Sequence, residues 1–151
     1  MTKDTKITLE EANNNILLTL DFCQVTLDVF HAEDGYRRRE ALKEEYKNPP
    51  ENRRNYVIRK GIDKIGVVAI ESILSSTSEI RGLALKPEFR GMGYLPRIIE
   101  AIEDKIKEKG ADKAALQALG TLPEAYRGMG YKYGTYKVSQ DPGAQMTKTL
   151  G

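Results

Sequence analysis

Leu83-Ala-Leu-Lys-Pro-Glu-Phe-Arg-Gly-Met-Gly-Tyr-Leu95 runs from an apolar strand, through a glycine-bearing turn, into an amphipathic helix. A helix N-terminus carries unpaired N–H groups and the positive end of the helix dipole, which together suit a diphosphate. Gly91 and Gly93 lack Cβ atoms, so the backbone can curl into a concave anion nest. Arg90 adds a charged fork beside it. Two nucleotide loops are excluded. A Walker A loop ends in Gly-Lys-Ser/Thr, which the chain does not contain. A dinucleotide fingerprint needs a third glycine, which is missing here.

The six residues Arg90, Gly91, Met92, Gly93, Tyr94 and Leu95 resemble the Gln/Arg-x-x-Gly-x-Gly/Ala signature of the GNAT superfamily of acyl-CoA-dependent N-acetyltransferases. Five places agree; Leu95 stands where Gly or Ala is usual. The resemblance implies that this loop cradles the pyrophosphate of acetyl-CoA. It also implies an α/β fold of GNAT type, a central mixed sheet with flanking helices, in which two parallel strands splay apart to admit the acyl-CoA. Leu83, Ala84 and Leu85 would then offer backbone groups to the pantetheine arm, as an added strand does.

The surrounding elements agree. Ile98, Ile99, Ile102 and Ile106 form an apolar stripe at helical spacing. Glu103 and Lys107 are spaced as an i,i+4 pair, Pro96 falls in the first turn, and Gly110 suits the C-terminal cap. Lys113–Leu119 reads as a short buried strand, completing a strand-helix-strand unit with parallel pairing. Asn55–Lys60, Lys64–Ile73 and Ser78–Lys86 read as antiparallel strands leading into the loop, with turns at Gly61–Lys64 and Ser75–Ser78. Ala144–Leu150 alternates like a strand and is expected to pair with Lys132–Val138 across Asp141-Pro-Gly143.

Two residues carry the candidate chemistry. Leu122-Pro-Glu-Ala-Tyr-Arg-Gly-Met-Gly-Tyr131 resembles the family's Tyr-x-x-x-Gly-Phe/Tyr segment, in which the tyrosine, here Tyr126, protonates the departing CoA thiolate. The Asn usual seven residues upstream is replaced by Leu119. Without the resemblance, Tyr126 is a half-buried aromatic on a short helix. Glu79-Ile-Arg-Gly-Leu-Ala-Leu85 resembles the histone-acetyltransferase branch, where a glutamate at the matching point activates water to deprotonate the amine. The plainer reading of Glu79 is a solvent-facing strand glutamate. Arg-Gly-Met-Gly-Tyr occurs twice, at 90–94 and 127–131, but the first copy opens a helix while the second closes one. It is read as coincidence rather than a repeat.

The first 50 residues resemble the family less and are expected to form a helical region that shapes the acceptor pocket. Thr8-Leu-Glu-Glu11 has the form of a capping box and suggests a helix start, although Lys6–Leu9 is also the one candidate for a first strand. Leu9, Ile16, Leu20, Cys23, Leu27 and Phe30 mark one helical face; Leu18, Phe22, Val25 and Val29 mark its neighbour. A charged helix is expected over Tyr36–Tyr46, stopped by Pro49-Pro50.

With 151 residues, 40% hydrophobic and 30% charged, the chain reads as one domain, 1–151, with the sheet and acetyl-CoA core over 55–150. A net charge of +2 is too small to argue for nucleic acid. The runs Arg37–Arg39 and Arg53-Arg54 read as a solvated helix face and a loop, with phosphate binding the alternative. Cys23 is the single cysteine, excluding an internal disulfide and a cysteine metal cluster, and no metal is expected. It falls on an apolar helix face, so packing is preferred to catalysis. His31, the single histidine, suits a helix C-terminus. No signal peptide or transmembrane run is present, so a cytoplasmic protein is expected. The resemblance also admits a homodimer.

Three functions compete: transfer of an acetyl group from acetyl-CoA to a primary amine in a ternary complex; a catalytically inactive GNAT-like module for acyl-CoA binding or interaction; and a nucleic-acid-associated protein using the arginine runs.

Overall fold

Among the described residues, alternating and continuous apolar runs give seven strands, and their order across one mixed sheet is β1-β2-β3-β4-β5-β7-β6. The computed structural model describes residues 6–13, 15–30, 49–74, 76–118, 122–133 and 144–151. The strands are β1 (Ile7–Glu11), β2 (Arg53–Lys60), β3 (Asp63–Leu74), β4 (Thr77–Leu85), β5 (Lys113–Ala118), β6 (Lys132–Tyr133) and β7 (Ala144–Thr149). The helices are α1 (Ile16–Phe30), α2 (Leu95–Glu108) and α3 (Leu122–Gly128). Expectations for His31, Arg37–Arg39, Tyr36–Tyr46, Ser75, Leu119, 134–138 and Asp141–Gly143 fall outside the described residues.

β1 to β4 form an antiparallel meander. Gly61, with φ at 62°, takes the left-handed conformation its tight turn requires. β4 then pairs with β5 in parallel through the intervening α2, as the strand-helix-strand reading expects. β7 inserts between β5 and β6 and is antiparallel to both.

The Thr8-x-x-Glu11 reading as a helix start is corrected. Residues Ile7–Glu11 are a strand, registered from Ile7 opposite Lys60 to Glu11 opposite Tyr56. Pairing with β2 and the Arg59–Glu10 ion pair outweigh a local capping pattern that fits either conformation. The helix begins later, where Asn15 Oδ1 accepts from the Leu18 amide at 3.1 Å as an N-cap.

Each face of the sheet carries its own apolar cluster. α1 lays Leu18, Phe22 and Val25 onto Val57, Val67 and Ala84. Cys23 is buried, as a packing residue should be, whereas Leu20, expected to share its face, is exposed. The opposite face is larger: Ile98, Ile99, Ile102 and Ile106 of α2 pack with Tyr56, Ile58, Val68, Ile80, Leu116, Tyr126, Tyr131 and Met146. Gly110, at φ 92°, ends α2, with the Gly110 and Ala111 amides returning to Lys107 and Ile106 carbonyls.

Candidate active site

The ladder between β4 and β5 runs from Thr77 opposite Lys113 to Ile80 opposite Leu116 and goes no further. β5 continues beside β7 to Ala118, while β4 continues beside β3 to Leu85. Two neighbouring parallel strands thus part within the sheet, and among the described residues the β5-side edge of Arg81–Leu85 has no strand partner.

A bulge shapes the same stretch. Val67 faces Ala84 and Ala69 faces Arg81, so three steps on β4 oppose two on β3. Gly82, at φ 59°, supplies the left-handed residue such a bulge uses. The extra residue reverses the alternation of side chains. Arg81 and Ala84 come to share the α1 face, while Leu83 and Leu85 pack against the α2-side core. Leu83, Ala84 and Leu85 therefore line the parted edge.

Beyond Leu85 the chain makes a 3-10 turn at Pro87–Phe89 and enters the glycine loop. Gly91 and Gly93 lie at φ 71° and 80°. A Cβ built on either meets nothing within 4 Å, so the loop borders open space. Arg90 is tied down, donating Nε–H to the Leu85 carbonyl at 2.9 Å. The first intrahelical bond runs from the Ile98 amide to the Tyr94 carbonyl at 2.9 Å. Among the described residues, no backbone carbonyl outside the regular elements accepts from the amides of Gly91, Met92, Gly93, Tyr94 or Leu95. Pro96 has no amide to leave unpaired, and Tyr94 provides no side-chain cap. These groups lie at the positive end of a 14-residue helix, where unpaired amides and the helix dipole favour negative charge. Leu95 packs towards the α2-side core, as does Tyr94, whose ring also lies 5.4 Å from Lys60 Nζ. Met92 is exposed.

Glu79 is not the solvent-facing glutamate of the plainer reading: it is 4% exposed. Its Cα partner on β3 is Glu71, so two carboxylates lie side by side, an arrangement that repels unless cations interleave. They do. Arg81 Nε lies 3.2 Å from Glu79 Oε1, and its Nη1 donates to Glu71 Oε2 at 3.1 Å. Arg53 donates Nε–H and Nη2–H to the same Glu71 oxygen at 3.1 and 3.0 Å. Arg53 and Arg54 thus open β2, which corrects the reading of this run as a loop.

Tyr126 lies on α3 and is 6% exposed. Burial raises its phenol above the ordinary value of 10.0, keeping it protonated through neutral pH. Its ring meets Tyr131 edge-on, with centroids 5.8 Å apart and planes at 70°. Gly130, at φ 97°, closes the segment after α3, as expected of the second Arg-Gly-Met-Gly-Tyr copy. The two candidate catalytic residues lie on opposite faces of the sheet. Tyr126 shares the α2-side core with Ile80, while Glu79 shares the α1 face with Arg81 and Glu71.

The sequence reading missed the Arg53–Glu71–Arg81 chain, which cross-strand register assembles, and it misplaced Glu103. The expected Glu103–Lys107 pair does not form. Lys107 approaches Asp104 at 3.7 Å, while Glu103 turns inward to Tyr131 and Lys148. A signal was available: Glu103 is four residues after Ile99 and three before Ile106, on the border of the apolar stripe.

The acetyltransferase (GNAT) family model matches residues 20–131, and the chain belongs to that family. Its fold is shared by Tetrahymena GCN5, with a TM-score of 0.70 at 13% identity over 95% of this chain and 96% of that one. An aminoglycoside 6'-N-acetyltransferase complexed with coenzyme A gives 0.70 at 17% identity, covering 95% and 96%. Spermidine N-acetyltransferase from Vibrio cholerae, in complex with CoA and spermine, gives 0.67 at 16% identity, covering 96% of each chain. No curated protein sequence matches. Among the described residues, no helix is long and apolar enough to cross a membrane, and no three His, Cys, Asp or Glu side chains converge as a metal site.

Proposed function

We propose that the chain transfers an acetyl group from acetyl-CoA to a primary amine, on a small molecule or a protein, by direct attack in a ternary complex. One observation carries the reading. The sheet parts between β4 and β5 beside a loop whose amides, among the described residues, meet no backbone carbonyl outside the regular elements and whose two glycines border open space. Diphosphate on those amides and pantetheine along Arg81–Leu85 would bring the thioester to the mouth of the parted strands. Coenzyme A bound to two of the structural neighbours supports this placement.

In the reaction the amine nitrogen attacks the thioester carbonyl carbon, the C–N bond forms, and the C–S bond breaks. Backbone N–H groups at the Gly82 bulge would stabilise the tetrahedral oxyanion. Glu79 takes the ammonium proton through water before attack. A base must begin ionised, and Arg81 compensates the charge of a carboxylate this buried. Tyr126 donates its proton to the thiolate, the proton left on the nitrogen after attack passes to solvent, and Tyr126 is reprotonated from solvent, so the products are CoA thiol and the N-acetylated amine. Held on opposite faces, base and acid would serve the two ends of one displacement through the gap between the strands.

The test is release of free thiol from acetyl-CoA in the presence of a polyamine, an aminoglycoside and a lysine-bearing peptide. Amine-dependent release supports acetyl transfer. Tight CoA binding with no release to any amine would instead support the inactive acyl-CoA-binding module.

A further inference from the structure

α3 contains seven residues, too few to hold their own conformation by backbone hydrogen bonds. The position of Tyr126 therefore depends on what the helix packs against. The Met129 and Tyr131 amides both donate to the Tyr126 carbonyl, at 2.9 and 3.0 Å, folding the chain back so that the two tyrosine rings meet. Tyr131 is in turn held from two other elements. Its hydroxyl donates to Glu103 Oε2 of α2 at 2.9 Å, in a buried bond. Lys148 of β7 donates Nζ–H to Glu103 Oε1 at 3.1 Å, and its ammonium lies 5.7 Å from the centre of the Tyr131 ring.

A part-buried ion pair of this kind is a poor source of stability, because the cost of removing its charges from water offsets much of their attraction. What it provides is a single geometry: both carboxylate oxygens are engaged, one by each partner, so the Tyr131 ring is fixed in plane and depth. We propose that Glu103, Tyr131 and Lys148 are positioning residues, a clamp from α2 and β7 that fixes the Tyr126 phenol where it can protonate the leaving thiolate. This rests on the acetyl-transfer reading. None of the three touches the reacting atoms; they act through the ring of Tyr126. The clamp sets the protonation step and leaves CoA binding alone, since the glycine loop lies at the N-terminal end of α2, about two turns before Glu103.

The experiment is a double-mutant cycle in steady-state kinetics with acetyl-CoA and the best amine from the thiol-release panel. Tyr131→Phe keeps the ring but loses the bond to Glu103. It is expected to lower kcat about tenfold, within the scale on which an ångström of misplacement acts, with KM for acetyl-CoA unchanged. Because the effect passes through the Tyr126 hydroxyl, Tyr131→Phe added to Tyr126→Phe is expected to cost nothing further. Glu103→Gln, which preserves the side-chain shape, is expected to repeat both results and serves should Tyr131→Phe not fold. Equal losses in the two backgrounds, or no loss beside native Tyr126, would overturn the clamp while leaving the acid role intact. A Tyr126→Phe enzyme with native turnover would instead remove the acid role, and the clamp with it.

Discussion

Tyr126 is the residue whose environment says most about its chemistry. Burial raises its phenol above 10.0, so the group stays protonated across the neutral range, as an acid must. Tyr126→Phe is expected to lower kcat about a hundredfold, in the range for loss of a positioned acid, with CoA affinity unchanged in calorimetry. An alkaline fall in native kcat assigned to this group should have its midpoint above the ordinary phenol value of 10.0; a fall with a neutral midpoint that Tyr126→Phe abolishes would contradict the assignment. Tyr126 was legible in the sequence because its spacing to Gly130 and Tyr131 is local. Arg81, Glu71 and Arg53 were not, since their meeting depends on the register of three strands. Glu103 shows the limit of pairing rules. Its spacing to Lys107 satisfied a helix-surface rule, but a buried tyrosine hydroxyl and a second lysine offered more than an exposed i,i+4 contact.

At the scale of elements, the bulge in β4 decides where the parted edge lies, and Gly66 on β3 supports it from behind. Gly66 faces Leu85, and a Cβ there would fall 2.3 Å from the Ala84 carbonyl oxygen and 2.9 Å from Leu85 Cδ2. Gly66→Ala must therefore push β4 outward. The expected cost is about 1–3 kcal/mol in chemical denaturation, with weakened CoA binding because the displaced backbone is the one pantetheine would follow. Native stability in that variant would mean β4 yields freely. The elements from β2 to β5 were readable because each apolar run ends in a glycine or polar turn, and α2 because its stripe, proline and capping glycine agree. β1 was ambiguous. Thr8-x-x-Glu11 serves a capping box and an alternating strand equally well, and the choice is made by β2, more than forty residues away.

For the whole molecule, one sheet between two unequal apolar layers places three tyrosines, Tyr56, Tyr126 and Tyr131, in the larger layer. Burial raises all three, and Glu103 raises Tyr131 further. Below pH 10.0 folded and unfolded chains both keep these protons and stability is unaffected by them. Above it the unfolded chain releases protons that the folded chain retains, so stability falls. Each tyrosine contributes a slope of up to about 1.4 kcal/mol per pH unit there. Denaturant unfolding across the alkaline range should show this loss, and Tyr126→Phe should make it shallower; an unchanged slope would mean that Tyr126 ionises freely in the folded chain.

Calorimetric titration of the native chain and of Gly93→Asp with acetyl-CoA and with free CoA tests the proposed diphosphate loop most directly. Gly93 lies at φ 80° facing open space, so an aspartate would add backbone strain, bulk and a negative charge where the phosphates would sit. Binding of both ligands to the native chain at about micromolar affinity, with no heat from a folded Gly93→Asp variant, is the predicted result. No binding to the native chain, or equal binding to both, would contradict it.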